Sequence, residues 1–264
     1  MAAQVTCSIT GSIANITLRN DERRNALSVH LLGELNDTLA RIEAHPDVHV
    51  VVLTGSGRAF CVGADLGAAP EARSLRRDSV EADTARLRDA ARIVQRLYEM
   101  PQITVAAING ACAGAGLSLA LAADLRVATR SAVFNTAFLT AGLSGDLGGI
   151  WFLTKILGGA KARELFLLPG KFDATRALQL GLVTSISDDE GFEQLTHDVA
   201  SRLAAAAPRA ARAMKQNLLD AAHLPLSVYL GPETERMVRS FHTDDAVEAA
   251  SAFLQRREPV FAGR

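Results

Sequence analysis

Apolar and polar positions along the chain change period several times, and those changes outline its elements. The opening stretch MAAQVTCSITGSIANITL alternates polar and apolar residues and turns at Gly11-Ser12, which predicts a β-hairpin. Over 28–44 the spacing becomes helical: Leu31, Leu32, Leu35, Leu39 and Ile42 form one stripe behind Ser28, a predicted N-cap. VHVVVLT (48–54) and ITVAAI (103–108) are continuous apolar runs, as in strands covered on both faces. A long amphipathic stretch around 84–99 precedes the second run, and 125–129 reads as a further strand. Helical pieces at 153–157 and 160–168 are parted by Gly158-Gly159. A helix over 174–180 ends at Gly181, and a strand covers 183–186.

Strands alternating with helices through 5–186 predict an α/β layered core. Beyond about Asp188 the strand signals stop, and 192–206, 208–222, 226–241 and 245–255 are all helical. The expected division is a core over 1–190 and a helical tail over 191–264 that packs on a neighbour. The 68–90 stretch, rich in Ala, Arg, Glu and Asp and weakly periodic, is expected to be the most mobile part.

With 48% hydrophobic and 22% charged residues and a formal net charge of −1, the chain is an ordinary globular protein with no electrostatic case for nucleic acid. Cys7, Cys61 and Cys112 are odd in number and lack C-x-x-C spacing, which argues against a disulfide framework or a thiolate metal site. A reducing cytoplasm is the expected compartment, and the N-terminus lacks the charged-then-apolar plan of a signal peptide. Residues 103–123 carry no charge over nearly a bilayer's span. Asn109, Gly110, Gly114 and Gly116 interrupt them, so a strand, a turn and a core helix are expected instead of a membrane segment.

The chemistry concentrates in FNTAFLTAGLSGDLGGIWFL (134–153), where Asp146 is the one acid in an uncharged, glycine-bracketed run. Its apolar surroundings predict a raised pKa and acid/base work; the alternative is capping of a helix that begins near Gly148. VVLTGSGRAFCVGADL (51–66) and AAINGACAGAGLSLALAADL (106–125) each bring a strand into small residues, whose N–H groups can approach a ligand closely. Neither Gly55-Ser-Gly57 nor Gly114-Ala-Gly116 completes a dinucleotide-binding G-x-G-x-x-G, because Phe60 and Leu119 fill the third position. His45 and His49 have metal-pair spacing, but Pro46 lies between them, so no metal site is expected.

At these residues the sequence resembles the crotonase (enoyl-CoA hydratase/isomerase) superfamily. NALS (25–28), VVLTGSGRAFCVGADL, the N-G-x-x-x-G-x-G segment at 109–116, GKFDATRALQLGLV (170–183) and FLQRREPVFAGR (253–264) follow its order and spacing. The resemblance implies a spiral of ββα units with a C-terminal helical trimerisation region, assembled as a homotrimer or dimer of trimers. It implies an acyl-CoA thioester as substrate and no separate cofactor, coenzyme A being part of the substrate. By the family pattern, the N–H groups of Ala64 and Ala115, next to Gly114, form an oxyanion hole. The 61–66 loop (Cys61, Gly63, Asp65, Leu66) cradles adenine, Arg24, Ala26 and Leu27 lie along the phosphates and pantetheine, and Phe261 reaches a neighbour's coenzyme.

The departures are also informative. Where hydratases of the superfamily keep two glutamates, this chain has Ser118 and Phe138. Asp146 falls where several isomerases keep an aspartate, and the surrounding blocks resemble the ring-epoxide isomerases of phenylacetyl-CoA degradation. The expected activity is therefore an acyl-CoA isomerase with Asp146 as acid/base and with Phe138 and Trp151 walling the acyl pocket. The alternatives are a hydratase or lyase of fatty-acid or aromatic-acid degradation that borrows Glu71 or Glu81, a covalent role for Asp146 as in a dehalogenating branch, and an acyl-CoA-binding protein with little turnover.

Overall fold

The computed structural model describes residues 3–67 and 69–264. β1 (Gln4–Thr10) and β2 (Ile13–Arg19) form the expected antiparallel hairpin. In α1 (Val29–Glu43) the Ser28 hydroxyl accepts the Leu31 N–H at 3.2 Å, and the helix leads back to β3 (Val50–Gly55), parallel to β2.

One pattern is then repeated three times. β3 passes to β4 (Ala59–Cys61) and on to α2 (Val80–Glu99). β5 (Ile103–Ile108) passes to β6 (Ala111–Ala113) and α3 (Ala115–Leu121). β7 (Leu125–Thr129) passes to β8 (Val133–Asn135) and α4 (Gly149–Leu167). β9 (Phe172–Asp173), α5 (Ala174–Gln179) and β10 (Ser185–Ser187) close the series. The first strand of each pair enters a six-stranded sheet, β1-β2-β3-β5-β7-β10; the second enters a four-stranded sheet, β4-β6-β8-β9. A chain that lays one strand in each sheet before α2, α3 and α4 in turn is a spiral of ββα units.

The unbroken apolar runs of β3 and β5 are covered on both faces. Val51, Leu53, Ala106 and Ile108 pack toward Leu31, Leu35, Leu39, Phe60 and Phe134. Val50, Val52, Val105 and Val127 pack against α6 (Phe192–Ala204) through Ala200. α6 thus covers the core sheet, so the division expected at 190/191 precedes a helix that belongs with the core.

α7 (Pro208–Ala221) docks through buried Lys215, whose Nζ lies 2.7 Å from the Asp124 carboxylate and donates to the Gln102 carbonyl at 2.8 Å. α8 (Leu226–Phe241) buries none of its residues, and α9 (Asp244–Gln255) exposes Phe253 and Leu254.

One boundary shifts. The helix expected from 84 starts at Val80, because the Ser79 hydroxyl caps the Ala82 N–H. Before it, the 68–90 stretch holds a 3-10 turn, Pro70–Ala72; Ala68 lies outside the described residues. The four-stranded sheet went unanticipated, since strands of two or three residues have no readable period. Residues 103–123 divide into β5, β6 and α3, and no described helix is long and apolar enough to cross a membrane.

Candidate active site

Two asparagines fix the β3–β4 turn. Asn25 is fully buried in a left-handed conformation (φ 57°), and its amide donates to the carbonyls of Ser56 (2.9 Å) and Ala59 (2.7 Å). Asn109 donates to Gly55 (2.7 Å) and Gly57 (3.0 Å). The chain leaving β4 then runs beside Leu27: the Leu27 N–H donates to Gly63 at 2.7 Å and the Asp65 N–H to Leu27 at 3.2 Å. Those bonds use the groups flanking Ala64, whose own N–H points the other way and meets no acceptor among the described residues.

The second turn arrives from β6. The Gly114 N–H donates to Asn135, and α3 begins at Ala115, whose N–H belongs to the unpaired first turn and likewise finds no described acceptor. The two turns touch at Gly63, where φ is 96° and a Cβ would lie 3.1 Å from the Ala113 oxygen and 3.2 Å from the Ala115 nitrogen. Glycine is needed there for both conformation and space.

Asp146 comes in on the β8–α4 connection. Gly145 (φ 108°) and buried Leu147 (φ 47°) bend this loop through left-handed conformations, a strain of about 1–2 kcal/mol at the leucine. The carboxyl group is half-buried, and its Oδ1 is sealed from solvent without a hydrogen-bond partner. Burial pushes its pKa up from 3.8 to about 6. The capping alternative fails: the N-cap of α4 is Gly148 without a side-chain cap, and Asp146 contributes only its main-chain oxygen, which accepts the Gly149 N–H at 3.1 Å.

These parts meet in a cavity of about 160 Å³ lined by Leu27, Gly63, Ala64, Asp65, Leu66, Gly114, Ala115, Phe138 and Asp146. Leu32 of α1, Leu87 and Ala90 of α2, Leu75 before that helix, and Leu143 complete an apolar wall. Phe138 is nearly buried and stacks on Phe166, with centroids 6.4 Å apart. Besides Asp146, the described carboxyl at this cavity is Asp65, whose Oδ1 already accepts the Gly67 N–H at 3.1 Å.

Other expected site residues lie elsewhere. Trp151 does not wall this cavity: it faces a separate groove, edge-on to Tyr98 and stacked on His223 at 5.4 Å. Phe261 lies half-buried in the C-terminal tail, beside a segment held by the Asp245 carboxylate, and does not line the cavity. Arg24 is exposed before the Asn25 turn, and Ala26 is buried behind it. Cys61 is sealed beneath the loop; burial pushes its thiol up to about 12, against a hydrogen bond from the Gly63 N–H, so it is no nucleophile. Ser118 is buried with its hydroxyl toward the Asp146 main chain. Glu71 and Glu81 are exposed and outside the lining.

Reading residues alone missed the wall leucines, because on α1 and α2 they look like ordinary core stripe. The asparagine clamps were also missed, because Asn25 and Asn109 lie far in sequence from the β3–β4 turn that both hold. What the cavity offers chemically is two free main-chain donors, one raised carboxyl group and an apolar chamber.

The family model for enoyl-CoA hydratase/isomerase matches residues 8–264. A probable enoyl-CoA hydratase of Rhodobacter capsulatus is 37% identical over 97% of this chain and 96% of its own. The 1,2-epoxyphenylacetyl-CoA isomerase of Escherichia coli is 33% identical over 96% and 95%. A crystal structure of a putative enoyl-CoA hydratase/isomerase from Mycobacterium abscessus superposes with a TM-score of 0.92 at 35% identity, covering 98% of this chain and 100% of that one. Fold and sequence agree over nearly the whole length, and the chain belongs to the enoyl-CoA hydratase/isomerase family of enzymes.

Proposed function

We propose that this protein is an acyl-CoA thioester isomerase that shifts a double bond, or isomerises a ring epoxide, within one acyl group. The observation that carries the reading is that Asp146, with no hydrogen-bond partner for its carboxyl group among the described residues, lines the same cavity as Ala64 and Ala115, whose N–H groups are free. For the double-bond shift, the Asp146 carboxylate takes a proton from the carbon beside the thioester carbonyl. The electron pair moves onto the thioester oxygen, where both N–H groups donate to the enolate. The same carboxyl group then returns the proton at the γ carbon, and the double bond moves from β,γ to α,β. Each donor is worth about 3 kcal/mol of barrier, by analogy with loss of one such donor in other enzymes.

Hydration is the weaker reading. It needs water placed and protonated by a pair of acids, while Ser118 and Phe138 stand in the glutamate positions and Asp65 is engaged with Gly67.

The chamber also indicates a substrate class. An engineered protein cavity of about 150 Å³ holds one benzene molecule, so a cavity of about 160 Å³ in all, with Phe138 in its lining, suits a single ring or a short chain. Coenzyme A enters as part of the substrate, along Arg24, Leu27 and the 61–66 loop, and no separate cofactor takes part. The exposed apolar side chains of Leu226, Met237, Phe241, Phe253 and Leu254 support assembly as a homotrimer or dimer of trimers, in which Phe261 would meet a neighbour's ligand.

Supplying a 3-enoyl-CoA and a 2-enoyl-CoA separately tests this reading. Isomerisation of the first should far outpace hydration of the second, and fast hydration by Asp146→Asn would overturn it.

A further inference from the structure

Ser118 lies beneath the cavity, 1% exposed, on the first turns of α3. Its N–H bonds back to the Gly114 carbonyl at 3.0 Å, which fixes it to the turn that carries Ala115. Its hydroxyl lies 3.1 Å from the carbonyl oxygen of Asp146 and 3.4 Å from that of Gly114. One hydroxyl hydrogen favours the nearer acceptor.

Among the described residues, this is the one hydrogen bond that reaches 144–148 from outside α4; the loop's other bonds run to the Gly149 and Phe152 N–H groups. The contact is also pressed from the far side. A Cβ on Gly149 would fall well inside van der Waals distance of the Ser118 hydroxyl, so the start of α4 sits directly on it.

We infer that Ser118 is a positioning residue: its hydroxyl clips the Asp146 loop to the helix whose first N–H is the Ala115 donor, and so sets acid and donor relative to each other. The role rests on the isomerase reading above and goes beyond it. Without the clip, the loop keeps its sequence and chamber but loses its one tie to α3. The carboxyl group then samples positions off the line of proton transfer and relaxes toward water. A misplacement of about 1 Å at a reacting group can lower the rate about 100-fold.

Steady-state kinetics against pH, with a 3-enoyl-CoA substrate, tests the clip in Ser118→Ala, Gly149→Ala and Asp146→Asn, with melting temperatures measured alongside. Ser118→Ala should melt close to wild type, lose about 10- to 100-fold in kcat, keep KM within about twofold and move its acidic limb to lower pH. Gly149→Ala should show the same signature from the opposite side, and Ser118→Cys, a weak donor of similar size, should recover part of the loss. Should Ser118→Ala fail to fold, Ser118→Cys and Gly149→Ala carry the test by the same readouts.

Wild-type kcat and an unmoved limb in Ser118→Ala, beside an inactive Asp146→Asn, would overturn the clip and leave the isomerase reading standing. A raised KM with an unmoved limb would also overturn it, as a merely structural role. Full activity in Asp146→Asn would overturn the isomerase reading, and the clip with it.

Discussion

Asp146, whose carboxyl group no donor reaches, and Ala115, whose N–H reaches no acceptor, line one cavity. Buried polar groups in folded proteins are nearly always paired, so two residues with unpaired groups lining a common cavity mark where a ligand's atoms complete the bonding. A thioester answers both: its carbonyl oxygen accepts the N–H, and its adjacent carbon offers the carboxylate a proton.

The carboxyl group has to be ionised to accept that proton. Burial raises its pKa to about 6, so kcat/KM should fall as pH drops through about 6 and level off above it. A pH profile measures this limb in the free enzyme, and a limb near 4 would mean that the carboxyl is solvated in solution.

The same burial costs stability with a definite sign. The folded state holds the Asp146 proton up to about pH 6, while the unfolded chain releases it near 3.8. Stability therefore declines as pH rises from about 4 to 6, and above 6 the full penalty applies, on the order of 3 kcal/mol for a shift of this size. Asp146→Asn should be more stable than wild type at pH 8 by up to that amount, and so melt higher, and should melt near wild type at pH 4. Equal melting temperatures at both pH values would contradict a buried carboxylate.

At Gly63 the backbone itself is the device. Gly63→Ala places a methyl group 3.1–3.2 Å from the Ala113 oxygen and the Ala115 nitrogen on a residue whose φ is 96°. The two turns must part, taking the Ala64 and Ala115 donors out of line. The expected result is a folded protein with kcat lowered about 100- to 1000-fold, on the scale of losing one such donor. Circular dichroism and single-turnover rates together report it.

Phe138 is the one aromatic residue lining the described cavity. Phe138→Ala removes the ring stacked on Phe166 and should extend the accepted acyl group. Comparing kcat/KM for a four- and a ten-carbon enoyl-CoA should show the ratio shifting toward the longer chain by about tenfold or more, the scale of one or two methylene contacts. Such truncation of a buried aromatic also costs about 3 kcal/mol of stability.

Much of this was legible in the sequence because the relevant signals are local. The Ser28 cap, the stripe of α1, the doubly covered β3 and β5 and the break at Gly158 each follow from residues a few positions apart. Asp146 stood out because one charge in an uncharged run has few purely structural explanations. The chamber itself was not legible: Leu32, Leu87 and Leu143 meet only after the spiral closes, and nothing local separates a wall leucine from a core leucine. Trp151 shows the converse. It lies five residues from Asp146, yet the start of α4 turns it toward Tyr98 and His223, away from the acid.

The most direct test of the account follows one hydrogen through the reaction. A 3-enoyl-CoA deuterated at its α carbon should give 2-enoyl-CoA carrying part of that deuterium at the γ carbon, because a single shielded carboxyl group takes and returns it. Asp146→Asn should form no such product. Transfer at the wild-type rate in that variant, or a main product bearing added water, would contradict the proposed chemistry.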